Sequence, residues 1–199
     1  VSSVQFTPTL VAMLAGSYLL GAIPFGLVLV RFFKRQDVRT QGSGNIGATN
    51  VTRVAGRAVG AMTLVLDAMK GWLPVFSGRM MGLSELPCAM LGAAAFVGHC
   101  FSIYLRFRGG KGVATGLGVI AGLRPYAAAV AVGAFLVCFA VTRISSVSCI
   151  AGMAAVAVVA WHEGVSLEMV LLLCAMLGIS VIKLAPNIKR LVFGRELKF

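Results

Sequence analysis

An all-α integral membrane protein is the fold this sequence predicts, on three observations. Of its 199 residues, 59% are hydrophobic and only 12% are charged, with a mean hydropathy of +0.94. Soluble domains run at about 45–50% apolar and about 25% charged. The apolar residues also gather into runs near the length that a helix needs to cross about 30 Å of hydrocarbon. Finally, Lys and Arg crowd into alternate connections between those runs, as they do in multi-pass proteins.

Seven runs follow from the N-terminus, at 9–30, 58–79, 86–105, 113–123, 126–142, 145–161 and 167–184. The first holds no charge, and no basic stretch precedes it, so it reads as a span and not as a cleaved signal. Starting at Val1 instead of Met suggests a trimmed start. The second run carries Asp67 and Lys70, spaced i, i+3 so that they can pair on one helix face. Charges inside a span are functional candidates, and bundle stabilisation serves as well at this point. The third run ends near His99, read as a hydrogen-bonded structural histidine. The fourth, VATGLGVIAGL, is too short: at 1.5 Å per residue it covers about half the hydrocarbon core. It is tilted in a thinned bilayer, re-entrant, or packed inside the bundle. His162 ends the sixth run on the outer side, remote from the basic connections.

Charge then sets the orientation. The 31–57 connection carries Arg31, Lys34, Arg35, Arg39, Arg53 and Arg57, and the 106–112 connection carries Arg106, Arg108 and Lys111. Lys183, Lys189, Arg190, Arg195 and Lys198 follow at the C-terminal end. Alternate connections are poor in cations: Arg79 stands with Glu85, and WHEGVSLE has no Lys or Arg. Seven spans put every basic segment on the cytoplasmic side, with the N-terminus outside and the C-terminus cytoplasmic, in a single domain over 1–199. If 113–123 did not cross, Arg143 and the tail would move outside. A net charge of +12 is then that of loops on an anionic leaflet. Nucleic-acid binding would need a basic face on a soluble domain, and no such domain is present. Five cysteines, mostly inside apolar runs, read as small buried hydrophobes, neither a disulfide framework nor a metal site.

The stretch QGSGNIGATN contains G-x-G-x-x-G at Gly42, Gly44 and Gly47, with Asp67 twenty positions after the last glycine. That spacing is the dinucleotide fingerprint, which needs a strand before it and a helix opening within it. Here it lies between two membrane runs, so a nicotinamide cofactor is excluded. Three segments on the cytoplasmic face nonetheless hold more polar specificity than connectors need: GSGNIGATNVTR, FRGGKGVATG and PNIKRLVFGRE, the last placed after the final span. Glycines let backbone N–H groups approach an anion, and a helix N-terminus adds a favourable dipole. Lys111 supplies a point charge for phosphate. The loop is no Walker motif, since Gly112 follows Lys111. The pattern points to an interfacial phosphate site.

GSGNIGATNVTR, LDAMKG, GHCFSIYLRFRGGKGVATGLGV and PNIKRLVFGRE together resemble the acyl-phosphate:glycerol-3-phosphate acyltransferases (PlsY) of bacterial inner membranes. That resemblance implies seven spans and a cytoplasmic active site. It implies transfer of a fatty acyl group from acyl phosphate to the 1-hydroxyl of glycerol 3-phosphate, giving lysophosphatidic acid and phosphate without a cofactor. By position, Ser43, Arg53 and Lys111 become the catalytic set. Asn45, Thr49, Asn50, Gly109, Gly110, Gly112 and Asn187 become substrate-binding, and Glu196 structural. The partners are then the two substrates and the bilayer, with the chain acting as a monomer.

One departure stands out. The family histidine three residues before the asparagine is Leu184 here, and leucine can neither take a proton nor hold a phosphate. Weakened activity, an altered member, and a reaction that needs no base are the three readings left. Another class also fits the glycine-interrupted helices and the short fourth run: a small transporter of a phosphorylated or anionic solute. Against it, the polar loops cluster on one face and no inverted repeat is visible. The rival H-x4-D acyltransferase signature is absent, because Tyr104 and Leu167 stand five residues after His99 and His162.

Overall fold

Pro24 divides the first span. The computed structural model describes residues 4–197, so Lys198 lies outside the described residues; within them the chain is all-helical, without a strand. The run expected as one helix over 9–30 forms α1 (Pro8–Ala22) and α2 (Phe25–Lys34). Ile23 between them takes φ −59°, ψ 119°, the extended conformation that a following proline favours. Carbonyls released by such a break must find donors, since lipid offers none. Here side chains provide them. Ser102 Oγ donates to the Ala22 carbonyl at 2.5 Å, and Lys70 Nζ donates to the Ile23 carbonyl at 2.8 Å.

After a connection that includes a short turn over Val38–Thr40 comes α3 (Ala48–Ala55). This helix was not expected, because its sequence ATNVTRVA is too polar to read as a span. It folds because one stripe is apolar: Val51 and Ala55 pack with Leu27, Val30, Val38, Ile46, Val59 and Leu105 in a cluster that seats the whole connection. Next come α4 (Arg57–Met80), α5 (Glu85–Cys100), α6 (Val113–Leu123), α7 (Pro125–Thr142) and α8 (Ser145–His162). Their bounds follow the apolar runs within a few residues, and α6 matches its run.

The last helix, α9, spans Leu167–Val192 and passes through Pro186. The expected run stopped at 184, which left Asn187 and Arg190 in a tail. They stand instead on the helix itself. Proline is tolerated inside a membrane-protein helix where neighbouring groups satisfy the freed backbone.

Among the described residues, six segments are long and apolar enough to cross a membrane, with α1 and α2 counted together as Pro8–Lys34. The short α6 survives by being enclosed: Thr115, Gly118, Val119, Ile120, Gly122 and Leu123 are all buried. It lies close against α4, where Gly71 faces the Thr115 carbonyl and Gly118 faces the Ala68 carbonyl with no room for a side chain. Val75, Phe96, Val119, Leu123, Met169 and Met176 then join α4, α5, α6 and α9 in one core. Outward-facing Leu136, Val137, Val141, Trp161, Leu171 and Ile182 are exposed, the apolar exterior of a multi-pass membrane protein.

Candidate active site

The glycine-rich connection is organised by one side chain. Asn50, buried on α3, accepts the Ser43 N–H at 2.8 Å and donates to the carbonyls of Val38, Gln41 and Asn45 at 3.2, 3.0 and 2.9 Å. These contacts engage both polar atoms of its amide, so Asn50 holds the loop together from within. Asn45 Oδ1 accepts the Gly47 N–H at 2.8 Å, turning the chain into α3. Asp37 braces the approach by accepting from Arg39 and Arg31, and the Arg39 contact above all holds its carboxyl well below the usual range. Ser43 is thereby fixed by its backbone, and its hydroxyl takes no partner among the described residues.

The second loop is sunk into the bundle. The Gly110 N–H donates to the His99 carbonyl at 3.0 Å, so that amide is taken up internally. Gly112 turns the chain into α6 at φ +81°, with its Cα packed against the Phe96 ring. The Lys111 carbonyl accepts the Ser180 hydroxyl at 3.1 Å, while its ammonium donates to Asn187 Oδ1. Ser180 and Asn187 lie two turns apart on α9, about 10 Å at 1.5 Å per residue. The lysine stem therefore climbs from deep in the bundle toward its end. Leu184 sits between those two anchors, only 1% exposed.

Around Asn187 the third segment closes a network. Lysine has only donors and a carboxylate only acceptors, so the amide orientation is forced: Asn187 Nδ2 donates to Glu196 Oε1 at 2.5 Å. Ser146 Oγ donates to the same oxygen at 3.0 Å, and Arg190 Nε donates to Oε2 at 2.9 Å. Burial alone would raise the Glu196 pKa, but the donors from Asn187, Arg190 and Ser146 outweigh it and hold it below the ordinary value. Arg53 Nη2 donates to the Leu197 carbonyl at 2.9 Å, and Thr49 and Ser145 hydroxyls meet at 3.0 Å, tying α3 to the tail and to α8.

Three cations thus gather here: Arg190 pairs with the Glu196 carboxylate, Lys111 donates to Asn187, and Arg53 donates to the Leu197 carbonyl. Burial lowers the Lys111 pKa, outweighing the opposite pull of Cys149 and Glu196, and burial likewise lowers that of Arg53. A gathering of Lys and Arg side chains raises the local positive potential, which attracts anions.

The three polar segments therefore converge at one end of the bundle, with Asn50 and the Gly110 amide engaged inside their own loops. Ser145, Ser146 and Ser180 join them and were not singled out in the sequence. Ser145 and Ser146 open the sixth run, and Ser180 lies inside the last run, two turns from Asn187. His162 is exposed at the far end of α8, about 24 Å from Ser146 by helix rise.

A family model described as glycerol-3-phosphate acyltransferase matches residues 11–194. The chain belongs to the glycerol-3-phosphate acyltransferase family. Among relatives, the glycerol-3-phosphate acyltransferase of Trichlorobacter lovleyi is 44% identical over 186 residues, covering 94% of this chain and 95% of that one. The enzyme of Aromatoleum aromaticum is also 44% identical, over 190 residues and 94% of both chains. The fold is similar to crystal structures of PlsY, an integral membrane glycerol 3-phosphate acyltransferase. In its glycerol 3-phosphate form the TM-score is 0.91 at 32% identity, covering 96% of each chain. In its lysophosphatidic acid form the TM-score is 0.87 at 30% identity, covering 96% of this chain and 95% of that one. The chain is an acyltransferase of this family.

Proposed function

We propose that the chain transfers a fatty acyl group from acyl phosphate to the 1-hydroxyl of glycerol 3-phosphate, at the cytoplasmic face of a bacterial inner membrane. The carrying observation is the convergence of Arg53, Lys111 and Arg190 at one end of the bundle, linked through Asn187, Glu196 and the Leu197 carbonyl. Both substrates bear phosphate, and bringing two such groups together requires this kind of charge. Seven crossings, with α6 as the short enclosed one, put the cluster and the basic connections on one side. The N-terminus then lies outside, and the chain works as a monomer.

The chemistry asks little of a base. The acceptor hydroxyl oxygen attacks the acyl carbon, the carbon–oxygen bond to phosphate breaks, and phosphate leaves with the bonding pair. A phosphate oxygen of the donor takes the hydroxyl proton. Leu184 is compatible with this route, because no imidazole is needed. Lys111 and Arg53 neutralise the paired phosphates, and Ser43 with the first turn of α6 orients one of them. Positioning and charge stabilisation do the rest. No metal or cofactor is required by these steps.

The test is an assay of purified protein with glycerol 3-phosphate and either acyl phosphate or acyl-CoA. Lysophosphatidic acid should form with acyl phosphate only. Comparable rates with acyl-CoA as sole donor would refute the donor assignment. Phosphate-ester uptake into proteoliposomes without acylation would instead establish a transporter.

A further inference from the structure

We propose that His99 is a positioning residue for the glycine loop, supporting Gly110 from beneath so that Lys111 and the start of α6 keep their aim at the acceptor's phosphate. The inference rests on the acyl-transfer reading above. Three titratable side chains stand beneath the loop, none of which the reaction uses: Asp67 at 1% exposure, Lys70 at 1% and His99 at 4%. They form a column. Lys70 Nζ lies 2.7 Å from Asp67 Oδ1, and His99 Nδ1 lies 3.7 Å from that same oxygen. At its base, Lys70 donates to the Ile23 carbonyl at the α1–α2 break and sits 5.5 Å over the Phe25 ring.

At its top the column meets the loop twice. The His99 carbonyl accepts the Gly110 N–H, and the imidazole Nε2 lies so close to the Gly110 Cα that any side chain there would collide with it. Bundle stabilisation alone does not call for this arrangement. A buried ion pair is frequently replaced by packed apolar groups at no loss of stability. A column running from a broken helix to the residue beside the reactive lysine instead transmits rigidity to one place. Losing it should loosen the grip on glycerol 3-phosphate and leave donor binding alone.

The experiment measures KM for each substrate in His99→Ala, His99→Asn, His99→Gln, Gly110→Ala and the His99→Ala/Gly110→Ala double variant. Asparagine is too short to reach Gly110, while glutamine places an amide near the Nε2 position. His99→Ala and His99→Asn should raise KM for glycerol 3-phosphate about tenfold, with KM for acyl phosphate within about twofold, and His99→Gln should recover most of the loss. Gly110→Ala should be harmful alone and add little in the His99→Ala background, where the colliding ring is gone. If His99→Ala does not fold, the contrast between Asn and Gln still decides. Equal changes in both KM values, no difference between Asn and Gln, or additive Gly110 and His99 effects would overturn the positioning role. Wild-type protein that makes no lysophosphatidic acid would overturn the acyl-transfer reading instead.

Discussion

The two ends of the bundle use charge in opposite ways. At one end Arg124 contacts Glu85 at 2.5 Å and Glu163 at 3.0 Å, while Arg79 donates to the Leu123 carbonyl at 2.8 Å. Arg124 meets both glutamates, Arg79 holds a backbone carbonyl, and helices α4 to α8 are pinned with little charge left over. At the other end Arg190 pairs with Glu196, while Lys111 donates to the neutral Asn187 Oδ1 and Arg53 to the Leu197 carbonyl. Half-exposed ion pairs contribute only about 0–1 kcal/mol, so the balanced end is a fastening. Lys111, held on a neutral amide, keeps its charge for an arriving anion. How the charges are partnered, more than their number, distinguishes the two ends.

That contrast can be broken or sharpened by mutation. The largest effect belongs to Lys111→Ala and Arg53→Ala, each expected to lower kcat/KM about 10²–10³-fold, the usual result of removing a charge-stabilising donor. Arg124→Ala, at the balanced end, should leave kcat/KM within about twofold. Steady-state kinetics on matched preparations compares them, and an equal loss for Arg124→Ala would erase the distinction between the ends.

Gly112→Ala comes next. A methyl group there meets the Phe96 ring at a positive φ, a conformation alanine disfavours. Reduced thermal stability in detergent should accompany a raised KM for glycerol 3-phosphate, whereas an unstrained loop would show no change in melting.

Leu184→His should raise kcat by less than about tenfold. A well-placed general base contributes about 10²–10⁴-fold, but on the proposed route the donor phosphate takes the proton. Rates between about pH 6 and 8, where an unperturbed histidine titrates, distinguish the cases. A gain of 10² or more with a new pH dependence would show that the chain lacks a base it needs.

The smallest effect concerns Glu196. Its folded pKa is lowered, so its stabilisation is fully present above the unfolded carboxylate value of about 4.3 and is lost as pH falls through the folded value. Melting temperature should therefore drop as pH falls below about 4 in wild type. Glu196→Gln should already have lost this contribution at neutral pH and respond less to acid.

Most of the fold was legible because membrane spans follow from length and hydropathy, and lipid leaves the backbone few choices. The failures occurred where that rule gives way. Pro24 sits inside an unbroken apolar run, and hydropathy does not register a break whose carbonyls are satisfied by Ser102 and Lys70. Helix α3 is too polar for a span and is stabilised by contacts with α2 and Val38 that no local pattern reveals. The last apolar run stops at 184, yet the helix continues through Pro186 to Val192. At the site, the motifs that carry Arg53, Lys111 and Asn187 were legible, and the structure brings their segments together. The internal hydrogen bonds of Asn50 and Gly110 were not legible, because an amide's partners are distributed over a folded loop. Ser146 and Ser180 were hidden by their small size within apolar helices.

The depth of the Lys111 loop bears on fidelity. An acyl phosphate is a mixed anhydride, and water competes with any alcohol for its carbonyl carbon. The loop lies about two helical turns inside the bundle end, beside buried Leu184, Phe96 and Met176. Bulk water has poor access there, while glycerol 3-phosphate is drawn in by its own charge. On the proposed acyl phosphate route, a loop this deep favours the alcohol over water, and the ratio of lysophosphatidic acid to free fatty acid released measures that preference.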